Sequence, residues 1–282
     1  MTTNPKKLAK QPEHPLDDLI RTERIPHIWC PGCGIGTAFS SCLSAIKATG
    51  IPYNKFTMVS GIGCSARGAG YIKLDSFHTT HGRAIPFASG IKMAKPDLKV
   101  IVFSGDGDLF AIGGNHFIHA ARRNMDLTVI CVNNLTYGMT GGQCAATTPN
   151  KAKSTTTPLG NPDSPFNLPL LAYAAGASYV ARWTILHTRD LTTAINEAIV
   201  RKGFSFIEVL SPCPINYGRR NKEKPLDTLR LYQDKTIIKN GADPARADID
   251  FEKGVVIGKF IDIDRSTCDD RYTELHRPCS DD

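Results

Sequence analysis

Apolar residues fall along the chain in two alternating rhythms. Short continuous apolar runs, KVIVF at 99–103, LTVICV at 127–132 and SFIEV at 205–209, have the character of buried parallel strands. Between them lie longer stretches with apolar residues three and four apart, at 34–49, 82–95, 113–124, 168–176 and 189–202, which predict helices. Gly50-Ile51-Pro52 and Pro96 punctuate the first two. Residues 55–59 and 178–181 complete the strands. The alternation predicts an α/β fold, a mainly parallel sheet with helices on both faces and right-handed crossovers. Ligands of such sheets gather beyond the carboxyl ends of the strands, so the loops after KVIVF, LTVICV and FIEV should hold the site.

Two stretches break the pattern. Residues 143–167 are rich in Thr, Pro and Asn with almost no large apolar side chain, so they read as a long surface loop, of a length that often carries function. From Tyr217 to Asp282 the chain becomes charged with weak periodicity, which predicts an extended arm packing on a partner. With residues 1–24 as a solvated N-terminal arm, the α/β domain is expected over 25–216. There is no internal repeat.

A chain of 282 residues can bury a large core without disulfides or metals. Its 34 basic and 27 acidic residues leave +7, scattered along the chain, which favours acidic partners without requiring nucleic acid. No run approaches the ~18 apolar residues of a membrane span, and the N-terminus has no apolar signal core, so a cytoplasmic location is expected. Nine cysteines in that setting are expected as metal or cluster ligands or buried thiols.

The chemistry concentrates at two strand ends. Gly105-Asp106-Gly107-Asp108 follows KVIVF directly, and Asn133-Asn134 follows LTVICV, 28 residues after Asp106. One crossover helix and one strand fit in that interval, so both side chains can meet at one sheet edge. A carboxylate, an amide oxygen, a backbone carbonyl and phosphate oxygens are the ligands that Mg²⁺ takes in octahedral geometry. The flanking glycines let backbone N–H groups approach a diphosphate.

A second constellation is made of cysteines. Trp29-Cys30-Pro31-Gly32-Cys33-Gly34 puts a C-x-x-C before a helix, while Cys64 in GIGCS and Cys213 in SPCP each sit in a turn after a strand. Four thiols can thus converge at one edge. A zinc site, a dithiol redox pair and an iron–sulfur cluster are all compatible with parts of this set, and only the cluster uses all four. Cys42 and Cys131, inside a helix and a strand, read as core thiols, and His116 and His119 as ordinary helix-surface histidines. Cys144, Cys268 and Cys279 have no partner spacing.

The GDG motif followed by NN resembles that of thiamine diphosphate enzymes. Together with WCPGCG, GIGCS, HGRAIPFASGIK (81–92), YGMTGGQ and SPCPINYG, in this order, the sequence resembles the β subunits of 2-oxoacid:ferredoxin oxidoreductases over about residues 25–220, most closely those acting on 2-oxoglutarate. The resemblance implies a thiamine diphosphate-binding domain with Mg²⁺ held by Asp106, Asn134 and the Thr136 carbonyl. It also implies a single four-iron four-sulfur cluster on Cys30, Cys33, Cys64 and Cys213. Ile62, Gly63, Cys64, Ser65, His81, Gly105, Gly107, Asp108, Gly138, Met139 and Thr140 are the implied cofactor neighbours. His81 and Arg67 are the implied catalytic groups, Arg67 gripping the substrate carboxylate. The implied reaction is oxidative decarboxylation of 2-oxoglutarate with coenzyme A to succinyl-CoA, pyruvate and branched-chain 2-oxoacids being the alternative substrates. The carboxylic acid that activates the thiamine belongs, by the same resemblance, to a separate pyrimidine-binding domain that does not fit in this length. An α subunit is therefore expected to supply it, in an (αβ)₂ heterotetramer. No C-x₂-C-x₂-C-x₃-C run is present, so electrons are expected to leave for an external ferredoxin.

Overall fold

The computed structural model describes residues 14–276. The apolar runs become the strands β1 (Phe56–Ser60), β3 (Lys99–Gly105), β4 (Thr128–Asn133), β5 (Tyr179–Thr184) and β6 (Ser205–Leu210). The periodic stretches become α1 (Ile35–Ala48), α2 (Ala84–Ala94), α3 (Gly114–Arg122), α4 (Leu168–Ala175) and α5 (Thr188–Val200). α2 stops two residues before Pro96, whose ring bars the helix from continuing. α4 opens on Asn167, which accepts a hydrogen bond from the Leu170 N–H as a cap.

These strands form one sheet, joined by β2 (Asp75–His78), β7 (Thr236–Ile238) and β8 (Val255–Asp262), in the order β2-β1-β3-β4-β6-β5-β8-β7. Every pairing is parallel except β5 with β8. Side chains alternate across the strands, as the two-residue period requires. Ile101 and Phe103 of β3 belong to the core under α1 and α5, while Val100 and Val102 belong to the core under α2, α3 and α4. β4 and β6 are buried along their whole length.

The C-terminal part departs from the expected arm. The described residues beyond 217, to 276, fold back on their own chain: α6 (Pro225–Lys235) leads into β7, β8 joins the sheet between β5 and β7, and α7 (Cys268–Leu275) follows. Val255 and Ile257 are fully buried in the main core. β8 sends Val255 and Ile257 into one core and Phe260 into the other, a short apolar run that the charged residues around it hid. At the other end, Leu16 and Leu19 are buried and Ile20 bridges Ile72, so the described part of the N-terminal arm packs on the domain. No helix among the described residues is long and apolar enough to cross a membrane.

Candidate functional site

Four neighbouring parallel strands, β1, β3, β4 and β6, end at the same sheet edge, and GIGCS, GDGD, NN and SPCP lie where they stop, while WCPGCG precedes α1 and HGRAIPFASGIK follows β2. The loops after β1, β2, β3 and β4 line one shared cleft. It is lined by Ile62, Gly63, Cys64, Ser65, His81, Gly105, Asp106, Gly107, Asp108, Asn134, Thr136, Tyr137, Gly138, Met139 and Thr140. Every predicted neighbour of thiamine diphosphate and Mg²⁺ is therefore brought together. Arg67 is not among them: it is exposed on the short turn Ser65–Gly70, where its charge faces His78.

Asp106 is buried at the start of a π-helical turn, Gly107–Ile112, a distortion often found at functional sites. Burial pushes its carboxyl up to about 6, against the opposing pull of Thr147 Oγ1 and of backbone N–H groups at Gly107 and Asn134. A bound cation would repay that desolvation. Asn134 lies beside it, and Leu135, at φ +64, bends the backbone between Asn134 and Thr136. The bend is held from below: the Leu135 N–H donates to Asn133 Oδ1 (3.1 Å), Asn133 Nδ2 donates to Glu208 Oε1 (2.7 Å), and Arg182 Nε donates to Glu208 Oε2 (2.7 Å). Arg182, Glu208 and Asn133 are all fully buried. Past the bend, Tyr137–Gln143 closes into a tight hairpin, with the Tyr137 N–H on the Gln143 carbonyl (3.1 Å) and Thr140 Oγ1 on Gln143 Oε1 (2.6 Å). That hairpin carries Gly138, Met139 and Thr140 along the cleft.

Asp108 has a different part from the one expected of it. Its Oδ1 accepts the N–H groups of Gly82 (2.7 Å) and Ile62 (3.1 Å), and its Oδ2 accepts Ser104 Oγ (2.8 Å). His81 Nδ1 also lies 2.7 Å from Oδ1, off the line of a well-formed hydrogen bond. The carboxylate is thus engaged in tying the loops after β1 and β2 to the loop after β3.

The cysteines come together beside this cleft. Cys30 is exposed and Cys33, Cys64 and Cys213 are half-buried. Burial, and secondarily the other thiols, push Cys33 and Cys64 up to about 11. Ionising them together needs a positive centre among them. Gly138 stands where they meet the metal motif: a Cβ there would lie 3.6 Å from each of Cys64 Sγ, Cys213 Sγ and Asn134 Nδ2. Trp29 Nε1 donates to the Cys64 carbonyl (2.8 Å), locking the C-x-x-C segment to the Cys64 turn. Among the described residues no three His, Cys, Asp or Glu side chains are grouped tightly enough for a metal ion. A cubane, whose thiolates sit on separate corners, needs wider spacing than zinc does. Cys42, Cys131 and Cys268 are buried and none lines the cleft, although Cys131 lies near enough to Asp106 and Asp108 to feel their charge; Cys279 lies outside the described residues.

Several functional contacts have no signature in the sequence: Thr147 on Asp106, Ser104 on Asp108, and the Arg182–Glu208–Asn133 chain. Polar residues within the apolar strands at 182 and 208 were the one available signal for the last.

Comparison with known proteins matches these features. Residues 61–209 match the family of thiamine pyrophosphate enzymes, C-terminal TPP-binding domain. The chain is 49% identical over 265 residues to 2-oxoglutarate synthase subunit KorB of Methanocaldococcus jannaschii, covering 94% of this chain and 97% of that one. It is 53% identical over 213 residues to KorB of Archaeoglobus fulgidus, covering 76% and 78%. Among solved structures it resembles 2-oxoglutarate:ferredoxin oxidoreductase from Magnetococcus marinus, with 2-oxoglutarate, coenzyme A and succinyl-CoA bound, at TM-score 0.83 and 31% identity, covering 95% of this chain and 91% of that chain. Motif order, sheet topology and near full-length similarity agree, and the chain belongs to the family of 2-oxoacid:ferredoxin oxidoreductase β subunits, within the thiamine pyrophosphate enzymes.

Proposed function

We propose that the chain is the cofactor-bearing half of an enzyme that oxidatively decarboxylates 2-oxoglutarate with coenzyme A. The products are succinyl-CoA, carbon dioxide, a proton and two electrons, which leave singly through a four-iron four-sulfur cluster to ferredoxin. The observation that carries this reading is Gly138, where the amide of one cation ligand and two of the four thiols meet around a single Cα. When bound, thiamine diphosphate supplies the nucleophilic carbon and electron sink for decarboxylation, and the cluster takes up electrons one at a time.

The chain's own residues then have defined work. Asp106, Asn134 and the Thr136 carbonyl hold Mg²⁺, and the Gly138–Thr140 backbone faces the diphosphate. Cys30, Cys33, Cys64 and Cys213 hold the cluster, with Cys64 shared between its wall and that of the cleft. His81 turns Nδ1 toward Asp108, which leaves Nε2 to carry a proton at the site. Arg67, one turn beyond Ser65, is the candidate partner of the substrate carboxylate.

Among the described residues the carboxylates lining the cleft are Asp106 and Asp108, both already engaged. This supports an α subunit as the source of the activating glutamate, in an (αβ)₂ assembly. Anaerobic purification of the co-expressed subunits, followed by assays with 2-oxoglutarate, pyruvate and 2-oxoisovalerate, tests the reading. Iron-rich brown protein with preference for 2-oxoglutarate is expected, and Asp106→Ala should lose Mg²⁺ and thiamine diphosphate while keeping its iron. A colourless, iron-free protein would sink it. In the same assay Arg67→Ala should raise KM for the 2-oxoacid more than it lowers kcat.

A further inference from the structure

Six exposed cations gather beside the thiols in two stretches of the chain. Lys151, Lys153, Arg219, Arg220, Lys222 and Lys224 are all exposed, and among the described residues none takes part in an ion pair. The one acid within these two stretches, Glu223, is half-buried, and burial pushes its carboxyl up. Asp227, just beyond, turns its carboxylate back onto the Lys224 N–H at 3.3 Å. Six exposed cations thus stand here against two acids, Glu223 and Asp227.

The two stretches make one surface because the chain ties them together. Asn221 accepts from the Lys153 N–H at 2.8 Å and donates to the Lys153 carbonyl at 3.1 Å, and Asn216 Nδ2 donates to the Gly138 carbonyl at 2.6 Å. The surface also borders the thiols on two sides. Its longer segment begins as a turn around Cys213, whose carbonyl accepts the N–H groups of Tyr217 (3.2 Å) and Gly218 (2.9 Å). It ends at Pro225, which packs against Gly32, between Cys30 and Cys33, so closely that a Cβ on Gly32 would lie 3.0 Å from it. The segment carrying four of the cations thus runs from Cys213 to the turn that holds Cys30 and Cys33, Cys30 being the exposed thiol.

We infer that this basic surface is the docking site of an acidic one-electron carrier protein. This rests on the oxidoreductase reading above and assigns the exit of its electrons to the 213–225 segment. Unpaired, exposed cations keep their full field in solution, so they steer an anionic partner during encounter more than they hold it afterwards. A carrier that must arrive, take one electron and leave needs that balance. Bordering Cys213 and the exposed Cys30, the same charges bring the carrier beside the thiols.

The test uses the co-expressed holoenzyme with two acceptors, a purified acidic ferredoxin and methyl viologen, which needs no protein docking. In the triple variant Lys151→Glu, Arg219→Glu, Lys222→Glu, KM for ferredoxin should rise about tenfold or more at low ionic strength, with viologen-linked turnover unchanged. The gap should close as salt is added. Unchanged ferredoxin kinetics would overturn the inference, as would a rise in KM for coenzyme A with viologen as acceptor, which would assign the surface to nucleotide phosphates. Should the variant not fold, the unmodified enzyme decides: its ferredoxin-linked rate should fall steeply with salt while its viologen-linked rate does not, and a flat ferredoxin response refutes docking here. Failure of the unmodified enzyme to reduce either acceptor with any 2-oxoacid is the separate failure of the oxidoreductase reading.

Discussion

Gly61 lies face to face with the buried Asp108 carboxylate, with no room for even a methyl group between them. The closeness lets one carboxylate take the N–H groups of Ile62 and Gly82, which bring the loops after β1 and β2 over the cleft. Asp108→Ala is expected to strand both amides, at ~1–3 kcal/mol, and to weaken thiamine diphosphate binding through loop displacement. Gly61→Ala should do the same by steric means. Chemical denaturation with and without thiamine diphosphate checks both, and a variant with normal affinity would leave the carboxylate no positioning role.

Asp106 makes the cation-free protein sensitive to pH. Its folded-state value of about 6 lies above the ordinary 3.8, so the fold favours the protonated acid. The stabilisation is complete below the ordinary value and is lost as pH rises through about 6. Ionised at neutral pH, the buried group costs the cation-free fold on the order of 2–3 kcal/mol. Asp106→Asn removes that cost. Scanning calorimetry of cofactor-stripped protein should find the variant more stable than the parent at pH 7.5, by roughly 2–5 °C, with the difference gone near pH 4. With saturating Mg²⁺ and thiamine diphosphate the order should reverse. Equal melting at both pH values would mean that burial does not govern this carboxyl.

The Arg182–Glu208 pair has no solvent to fall back on. Glu208→Ala leaves a buried guanidinium without its counter-charge and frees Asn133 beneath the metal loop, so a loss of ~3–5 kcal/mol is expected. Glu208→Gln still offers Asn133 an acceptor and should lose less. Urea unfolding of the two variants separates charge from hydrogen bonding, since equal losses would mean that the charge contributes nothing.

Gly138→Ala separates folding from cofactor retention. The added methyl group would lie 3.6 Å from the two sulfurs and the Asn134 amide, an ordinary contact, so stability should hardly change. It would nevertheless fill the space shared by the thiols and the metal loop, and lower iron and thiamine diphosphate content are expected in the purified protein. Gly107→Ala is the contrast: the Tyr137 ring occupies the position of the new methyl group, and a loss of ~1–3 kcal/mol should follow. Iron and thiamine analysis beside thermal melting distinguishes the two outcomes.

Much of the site was legible because it consists of short motifs at strand ends. Continuous apolar runs mark buried parallel strands, so the residues after 103, 132 and 209 could be assigned to one edge before any coordinates. Asp108 was less legible, since a carboxylate beside a glycine in a phosphate-binding motif reads as a ligand. Only the packed loops reveal that its oxygens are taken by Ile62, Gly82 and Ser104. β8 was missed because its short apolar run, Val255 to Ile261, lies inside a segment that is charged on average, and periodicity read over the whole segment hides it.

The sequence by itself determined the central strands β1, β3, β4, β5 and β6 with the helices between them, the family and the residue types at the site, because those follow from local periodicity and from motifs contiguous in the chain. Tertiary structure alone decided which groups meet. Cys64, Asn134 and Cys213 share the space around Gly138, Thr147 reaches Asp106 across 41 residues, and Lys153 joins Arg219 and Lys222 in one basic surface. Such meetings depend on how loops of different length close over a sheet edge, where burial and hydrogen-bond satisfaction act between residues that no sequence spacing relates.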